Sequence, residues 1–298
     1  MQKEIVKRED AICEALYKDF KKPRFETLVA ETQFVLAEIN TALKSMELWA
    51  RPERVPSILA NWPSADYLYR EPYGTVLLIA PWNYPFQLVF APLVGAVAAG
   101  NTVVIKPSEL TRNTSKICAE IVAAVFEPGH VSVVEGGVEI SQRLLAQKWD
   151  YIFFTGSTKV GRIVYESAAK HLTPVTLELG GKNPCIVDGS ASIKLAAKRI
   201  AWGKFLNAGQ TCIAPDYILV HKNVKDALVK HLKQHITDFY GKNMEMSSDF
   251  ARIATSKHYE ELKAMLEGQP VLFGGTFADK DRYIAPTLVD EPQLDSTI

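Results

Sequence analysis

Cys212 follows Gly209, Gln210 and Thr211. Glycine there permits a tight turn, and nearby amides can face the negative oxygen formed when a thiolate attacks a carbonyl. Taken alone, an inert buried thiol is the competing reading. The other cysteines differ: Cys118 lies in the apolar register of a helix, Cys185 follows Asn183 and Pro184 in a β-prone run, and Cys13 sits in the amphipathic first helix. All three are expected to pack. Glu178 stands between Leu177 and Leu179, where a carboxylate is costly unless it is paired, protonated or used to take a proton from water. A structural hydrogen-bonding acid is the alternative. Asn83, within Pro81-Trp82-Asn83-Tyr84-Pro85, can donate its amide to a developing oxyanion, or can cap the following helix.

A second set of residues points to a nucleotide. An expected strand runs into Thr155-Gly156-Ser157-Thr158-Lys159-Val160-Gly161 and then a helix. Gly156 allows close approach, and the free amides of a helix start receive phosphate charge. The segment is neither GxGxxG nor a P-loop, because Gly161 is followed by Arg162. An ordinary strand-to-helix turn is therefore also open. Lys106 and Glu109 likewise follow a strand; Lys106 can bond an adenosine ribose and Glu109 can accept from its hydroxyls, unless the pair is a surface turn. A carboxylate at Glu109 would hinder a 2′-phosphate, so NAD is favoured over NADP.

The elements that must position these residues alternate. A helix is expected over Phe25 to Met46, with an apolar stripe of Phe25, Leu28/Val29, Val35/Leu36, Ile39, Leu43 and Met46, ending before Pro52. A Pro-rich connector, Pro52 to Pro63, follows. From Gly74 on, strands at 75–80, 102–105, 131–134, 151–154 and 175–179 are separated by helices. Their continuous Val/Ile runs fit parallel strands buried on both faces. A doubly wound α/β sheet leads, although alternation alone also allows a barrel. Gly180-Gly181 marks a domain crossing, so residues 1–180 are expected to hold N-terminal helices and a dinucleotide-binding domain, and residues 181–298 a second domain. In that second part, helices are expected near 192–205, 224–239 and 257–266, and strands near 217–220, 271–275 and 283–289.

Composition excludes several classes. Lys plus Arg and Asp plus Glu are 34 each, and no nucleic-acid module is present, so bulk nucleic-acid binding is not expected. The four cysteines form no CxxC pair and the histidines no HExxH, so no metal site is expected. His231 and His235, four apart among lysines with no carboxylate ligand at helical spacing, read as a solvated helix face. The most apolar stretch, Leu88 to Val104, is interrupted by Pro92, Gly95, Gly100 and Asn101 and falls short of a membrane-spanning helix. With no signal-like start, a cytoplasmic location is expected.

Together, PWNYPF at 81–86, IKPSE at 105–109, FTGSTKVG at 154–161, LELGG at 177–181 and FLNAGQTC at 205–212 closely resemble the aldehyde dehydrogenase superfamily, and particularly its class-three branch of fatty and aromatic aldehyde dehydrogenases. The likeness continues through Ala214–Tyr217 and Tyr283–Thr287. It implies a Rossmann-type nucleotide-binding domain followed by part of an α/β catalytic domain. It further implies Asn83 as oxyanion donor, Glu178 as general base and Cys212 as nucleophile. Lys106 and Glu109 become adenosine-ribose contacts, and Gly156, Ser157 and Gly161 line the cofactor phosphates. The implied reaction is NAD- or NADP-dependent oxidation of a medium-chain aliphatic or aromatic aldehyde through a cysteine thiohemiacetal and thioester, in a family whose members commonly form dimers or tetramers, a homodimer being expected here. A coenzyme-A-acylating dehydrogenase and a truncated dinucleotide-binding or assembly protein are the alternatives. The family pattern continues past the segment ending at Ile298, so a C-terminally incomplete chain is expected; some class-three relatives reach membranes through such a tail.

Overall fold

The computed structural model describes residues 1–292. The chain opens with α1 (Gln2–Lys7), α2 (Glu9–Phe20) and α3 (Arg24–Thr27), then a π-helical turn at Leu28–Thr32 and α4 (Gln33–Trp49). The expected long helix is present, but its stripe is broken. A π turn carries one extra residue and rotates the faces on either side of it. Val35, Leu36, Ile39 and Ala42 of α4 are buried, whereas Phe25, Val29, Leu43 and Met46 face outward. The residues turned inward before α4 are instead polar: Glu26, Thr27, Glu31 and Thr32 are each less than a tenth exposed. The Pro-rich connector contains β1 (Glu53–Val55), paired antiparallel with β2 (Asp66–Leu68).

The alternation that follows is β3 (Thr75–Ile79), α5 (Gln87–Ala98), β4 (Thr102–Lys106), α6 (Arg112–Val125), β5 (Val131–Val133), α7 (Val138–Leu145), β6 (Tyr151–Gly156), α8 (Thr158–Ala169) and β7 (Val175–Leu179). These strands form one sheet in the order β5-β4-β3-β6-β7. The pairs β3–β4, β3–β6 and β4–β5 are parallel. An order that grows outward in both directions from the first strand is the open, doubly wound sheet, not a barrel. Val76, Leu77, Leu78, Ile79, Val103, Ile105, Ile152 and Phe154 form its core with Val89, Phe90 and Leu93 of α5 and Ile121 and Val122 of α6.

Beyond it come β8 (Asn183–Val187), α9 (Ile193–Phe205), β9 (Pro215–Val220), α10 (Lys225–Tyr240), α11 (Ser256–Met265), β10 (Val271–Phe273), β11 (Phe277–Ala278), β12 (Tyr283–Ile284) and β13 (Leu288–Val289). β8 and β9 are parallel, joined through α9. Val187, Ala197, Ile200, Phe205, Leu228, Leu232, Ile236, Tyr240, Phe250 and Tyr283 share a core. The strand expected over 283–289 is divided at Ala285–Thr287: β12 pairs with β11 and β13 with β10, because Pro286 cannot donate to a ladder.

Two compact units result. One comprises Met1–Glu9, Ala30–Glu109 and Ser115–Glu178; the other comprises Asp10–Val29, Leu110–Thr114 and the chain from Leu179 onward. The division at Glu178/Leu179 lies two residues from the expected crossing. Sequence order, however, placed 10–29 and 110–114 with the first part. They group with the second because the Asp19 carboxylate takes the Asn113 and Thr114 amides, Phe20 O accepts from Arg252 N at 2.8 Å, and Glu26 bonds Asn207. His235 also corrects the reading of a solvated face: it is buried, stacks against Phe239 and has Asp238 one turn away at 3.6 Å. No helix among the described residues is long and apolar enough to cross a membrane.

Candidate functional site

In the first unit, Ile79 at the carboxyl end of β3 lies opposite Lys106 of β4 and Phe154 of β6. The segments leaving these three parallel strands therefore emerge from one edge of the sheet. They carry Asn83, the pair Lys106 and Glu109, and Gly156 with Ser157. Strand order reverses between β3 and β6, and ligands of open α/β sheets enter at such a crevice.

Lys106 is 2% exposed, with Nζ donating to Pro107 O at 2.7 Å and to Glu109 Oε2 at 3.0 Å. Burial of an ammonium is tolerable because these two acceptors satisfy it. The carboxylate itself is only partly covered, so it stands as an acceptor at the surface, held by the buried ammonium beside it.

Ser157 caps α8: its Oγ accepts from Val160 N at 3.3 Å. The N–H of Gly161 is already taken by Ser157 O at 2.8 Å, and Gly161 is buried in α8. Its amide is thus not what a phosphate would meet. The N–H groups of Thr158 and Lys159 precede the first carbonyl the helix could offer them and are the donors left at this end. A Cβ on Gly156 would stand 2.5 Å from the Phe154 ring, which accounts for glycine there.

Asn83 lies, half-buried, in the bend between β3 and α5. The capping role weighed for it belongs to another residue. Glu31, fully buried, accepts from Phe86 N at 3.1 Å and Gln87 N at 2.7 Å at the start of α5. Glu178 corrects a second inference. The alternation of β7 turns it away from its apolar neighbours and leaves it exposed, so the argument from a buried, costly carboxylate does not apply.

In the second unit, α9 stops at Phe205 and the backbone reverses its hand: φ is 56° at Asn207, 54° at Ala208 and 81° at Gly209. Left-handed backbone costs a residue with a Cβ roughly 1–2 kcal/mol, so two such positions need compensation. It is on the page. Asn207 N donates to Glu26 Oε2 at 2.9 Å. Gln210, buried, donates through Nε2 to Asn207 O and Arg252 O, each at 3.0 Å, and accepts from Ala254 N at 2.9 Å. Gly209 is required twice over, by its φ and because a Cβ would lie 3.2 Å from Lys204 O.

A turn closed by Ala214 N on Thr211 O at 3.1 Å then carries Cys212. Asn183 Nδ2 fastens it to β8, donating to Cys212 O at 2.7 Å and Ala214 O at 3.1 Å. Cys212 is the exposed thiol of the chain; Cys13 and Cys118 are buried and Cys185 is half-buried. Burial pushes the nearby Lys204 ammonium below the usual lysine range, against the pull of the Asp216 carboxylate 3.7 Å away. This combination, an accessible sulfur on a turn whose carbonyls are tied back and whose approach is fixed by buried hydrogen bonds, suits a nucleophile.

The sequence singled out Cys212 and Asn83 but not the residues that hold their surroundings. Asn183 and Glu26 beneath the Cys212 loop, and Glu31 at the start of α5, had no local signal beyond being polar residues in otherwise structured segments, since their partners lie 29 to 181 positions away. Among the described residues no cluster of His, Cys, Asp and Glu could hold a metal ion.

The whole of residues 1–298 matches the model of the aldehyde dehydrogenase family. A 4,4′-diaponeurosporen-aldehyde dehydrogenase of Staphylococcus aureus is 48% identical over 100% of this chain and 65% of its own length. A dimeric, NADP-preferring aldehyde dehydrogenase of Canis lupus familiaris is 42% identical, over 100% of this chain and 66% of its own. A solved structure described as the substrate-bound state of Staphylococcus aureus AldH superposes with a TM-score of 0.96 at 48% identity, over 99% of this chain and 65% of that one. The chain thus spans about two-thirds of the length of these relatives. Motifs, sheet order and these likenesses agree: the chain belongs to the aldehyde dehydrogenase family.

Proposed function

We propose that the protein oxidises a medium-chain aliphatic or aromatic aldehyde to the carboxylic acid, with Cys212 as nucleophile. The observation that carries this reading is the construction around Cys212: an exposed sulfur on a strained, glycine-dependent turn held by Asn183, Gln210 and Glu26. A buried packing cysteine needs no such support.

The Cys212 thiolate attacks the aldehyde carbon, forming a C–S bond and placing the electron pair of the C=O π bond on oxygen. The Asn83 amide and the Cys212 backbone N–H are assigned to that negative oxygen. As the C=O re-forms, the C–H bond breaks with its electron pair and a thioester remains on Cys212. A bound nicotinamide dinucleotide supplies the acceptor for that hydride. Glu178 takes a proton from water, the hydroxide adds to the thioester, and the C–S bond breaks to release the acid and the thiolate. The exposure of Glu178 supports this role by leaving it accessible to water.

The sheet edge fits the dinucleotide: the amides of Thr158 and Lys159 suit its phosphates, and the Lys106–Glu109 pair suits a ribose. Glu109 beside that ribose favours NAD, whereas the canine relative is named NADP-preferring. That relative is also named dimeric, which supports a homodimer here. A cytoplasmic location is part of the same proposal. Aldehyde-dependent formation of NADH or NADPH is the test. It should vanish in Cys212→Ala, and Glu178→Gln should slow thioester hydrolysis; unchanged turnover in Cys212→Ala would refute the assignment.

A further inference from the structure

Glu26 has no place in the reaction above, yet it is a nearly buried carboxylate, 4% exposed, at the beginning of the helix that the π turn interrupts. Its Oε2 receives the N–H of Asn207, a residue with no exposed surface, across 181 positions of sequence. That amide has lost its helical use. α9 ends at Phe205, and the extended ψ of 133° at Leu206, just before the left-handed run of Asn207, Ala208 and Gly209, takes the N–H of Asn207 off the helical ladder. Left without an acceptor in the interior, it would oppose this backbone conformation. A carboxylate supplies a stronger, charge-assisted bond than a carbonyl would.

We propose that Glu26 is a positioning residue for the nucleophile: by holding the Asn207 amide it fixes the left-handed run and so the orientation in which Cys212, five residues on, presents its sulfur. The proposal rests on the reading of Cys212 as the nucleophile. Gln210 and Asn183 hold the same loop through backbone carbonyls and the Ala254 amide. Glu26 alone among them brings a charge, and it does so from the N-terminal helices.

The test compares alkylation of Cys212 and Cys185 by iodoacetamide across pH, each thiol followed by peptide mass spectrometry. Cys185 lies in the same unit and serves as the reference. Glu26→Gln keeps an acceptor oxygen; Glu26→Met keeps length and removes it. The Cys212-to-Cys185 rate ratio should stay within about twofold of the parent in Glu26→Gln and change by about threefold or more in Glu26→Met, with a displaced pH midpoint for Cys212, since small displacements at a nucleophile alter rates severalfold. A folded Glu26→Met protein with the parent's ratio and midpoint would overturn the proposal, as would both thiols changing together. Should Glu26→Met fail to fold, Glu26→Asp, which retracts the acceptor by one carbon, decides on the same criteria. Alkylation needs no aldehyde. Failure to trap aldehyde on Cys212 would therefore sink the proposed reaction without moving this ratio.

Discussion

Replacing Gln210 by methionine keeps the length of the side chain and removes every hydrogen bond it makes. In the parent those include Nε2 to Asn207 O and to Arg252 O at 3.0 Å, and Oε1 from Ala254 N at 2.9 Å. All are buried, and Gln210 is 8% exposed. At about 1 kcal/mol for each neutral bond, the loss comes to about 3 kcal/mol, or roughly two powers of ten in the folding equilibrium. The Arg252 carbonyl and the Ala254 amide would also lose this buried partner, which raises the cost, while Asn207 O keeps the backbone N–H of residue 210 at 3.1 Å. Methionine fills the volume, so little of the effect comes from a cavity. Urea denaturation followed by tryptophan fluorescence reads the midpoint, and amide exchange locates the damage. The Ala254 amide should exchange faster, because its acceptor has gone, while core strand amides such as that of Leu77 in β3 keep their protection. A destabilisation below about 1 kcal/mol with the Ala254 amide still protected would refute the claim that this side chain holds the Cys212 loop.

Two further outcomes are expected. Asp281 is subject to burial, which raises its pKa, but hydrogen bonds from Lys21 at 2.6 Å and from Arg252 at 2.8 Å outweigh this and hold the carboxyl below the usual aspartate range. A depressed folded value means that the stabilisation is complete above the unfolded value near ~3.9 and is lost as pH falls through the folded one. Asp281→Asn should cost about 2 kcal/mol at neutral pH and flatten the decline of stability below about pH 4, measured by urea titrations at several pH values; an unaltered acid limb would count against it. Lys106→Ala should raise the dinucleotide dissociation constant by about tenfold or more in calorimetric titration, with equal affinity rejecting the ribose assignment.

The parallel sheet was legible because each strand is a short Val/Ile run and each connection a helical period, and such runs must be covered on both faces. The motif residues fall at element ends: Lys106 and Gly156 close β4 and β6, and Asn83 and Cys212 sit a few residues beyond β3 and α9. What failed was burial. An amphipathic reading of 25–46 assumes an unbroken α-helix, and a π turn of five residues sends Glu26 and Glu31 inward where Phe25 and Val29 were expected. Glu178 was read as enclosed from its neighbours Leu177 and Leu179, yet strand alternation sends it to the opposite side from them. Nothing local marks three consecutive left-handed residues when only the last is glycine. Their cost is offset by Glu26, Gln210 and Asn183, contacts that exist only in the folded chain.

The proposed reaction turns on carbon bonding to one sulfur. Rapid quenching of the protein mixed with NAD and a medium-chain aldehyde, in the Glu178→Gln background where hydrolysis is slowed, followed by peptide mass spectrometry, measures this directly. An acyl mass on the peptide containing Cys212, appearing only when aldehyde and dinucleotide are both present and absent from Cys212→Ala, is the predicted result. Oxidation of the aldehyde with Cys212 unmodified throughout, or with the acyl group on Cys185 instead, would contradict it.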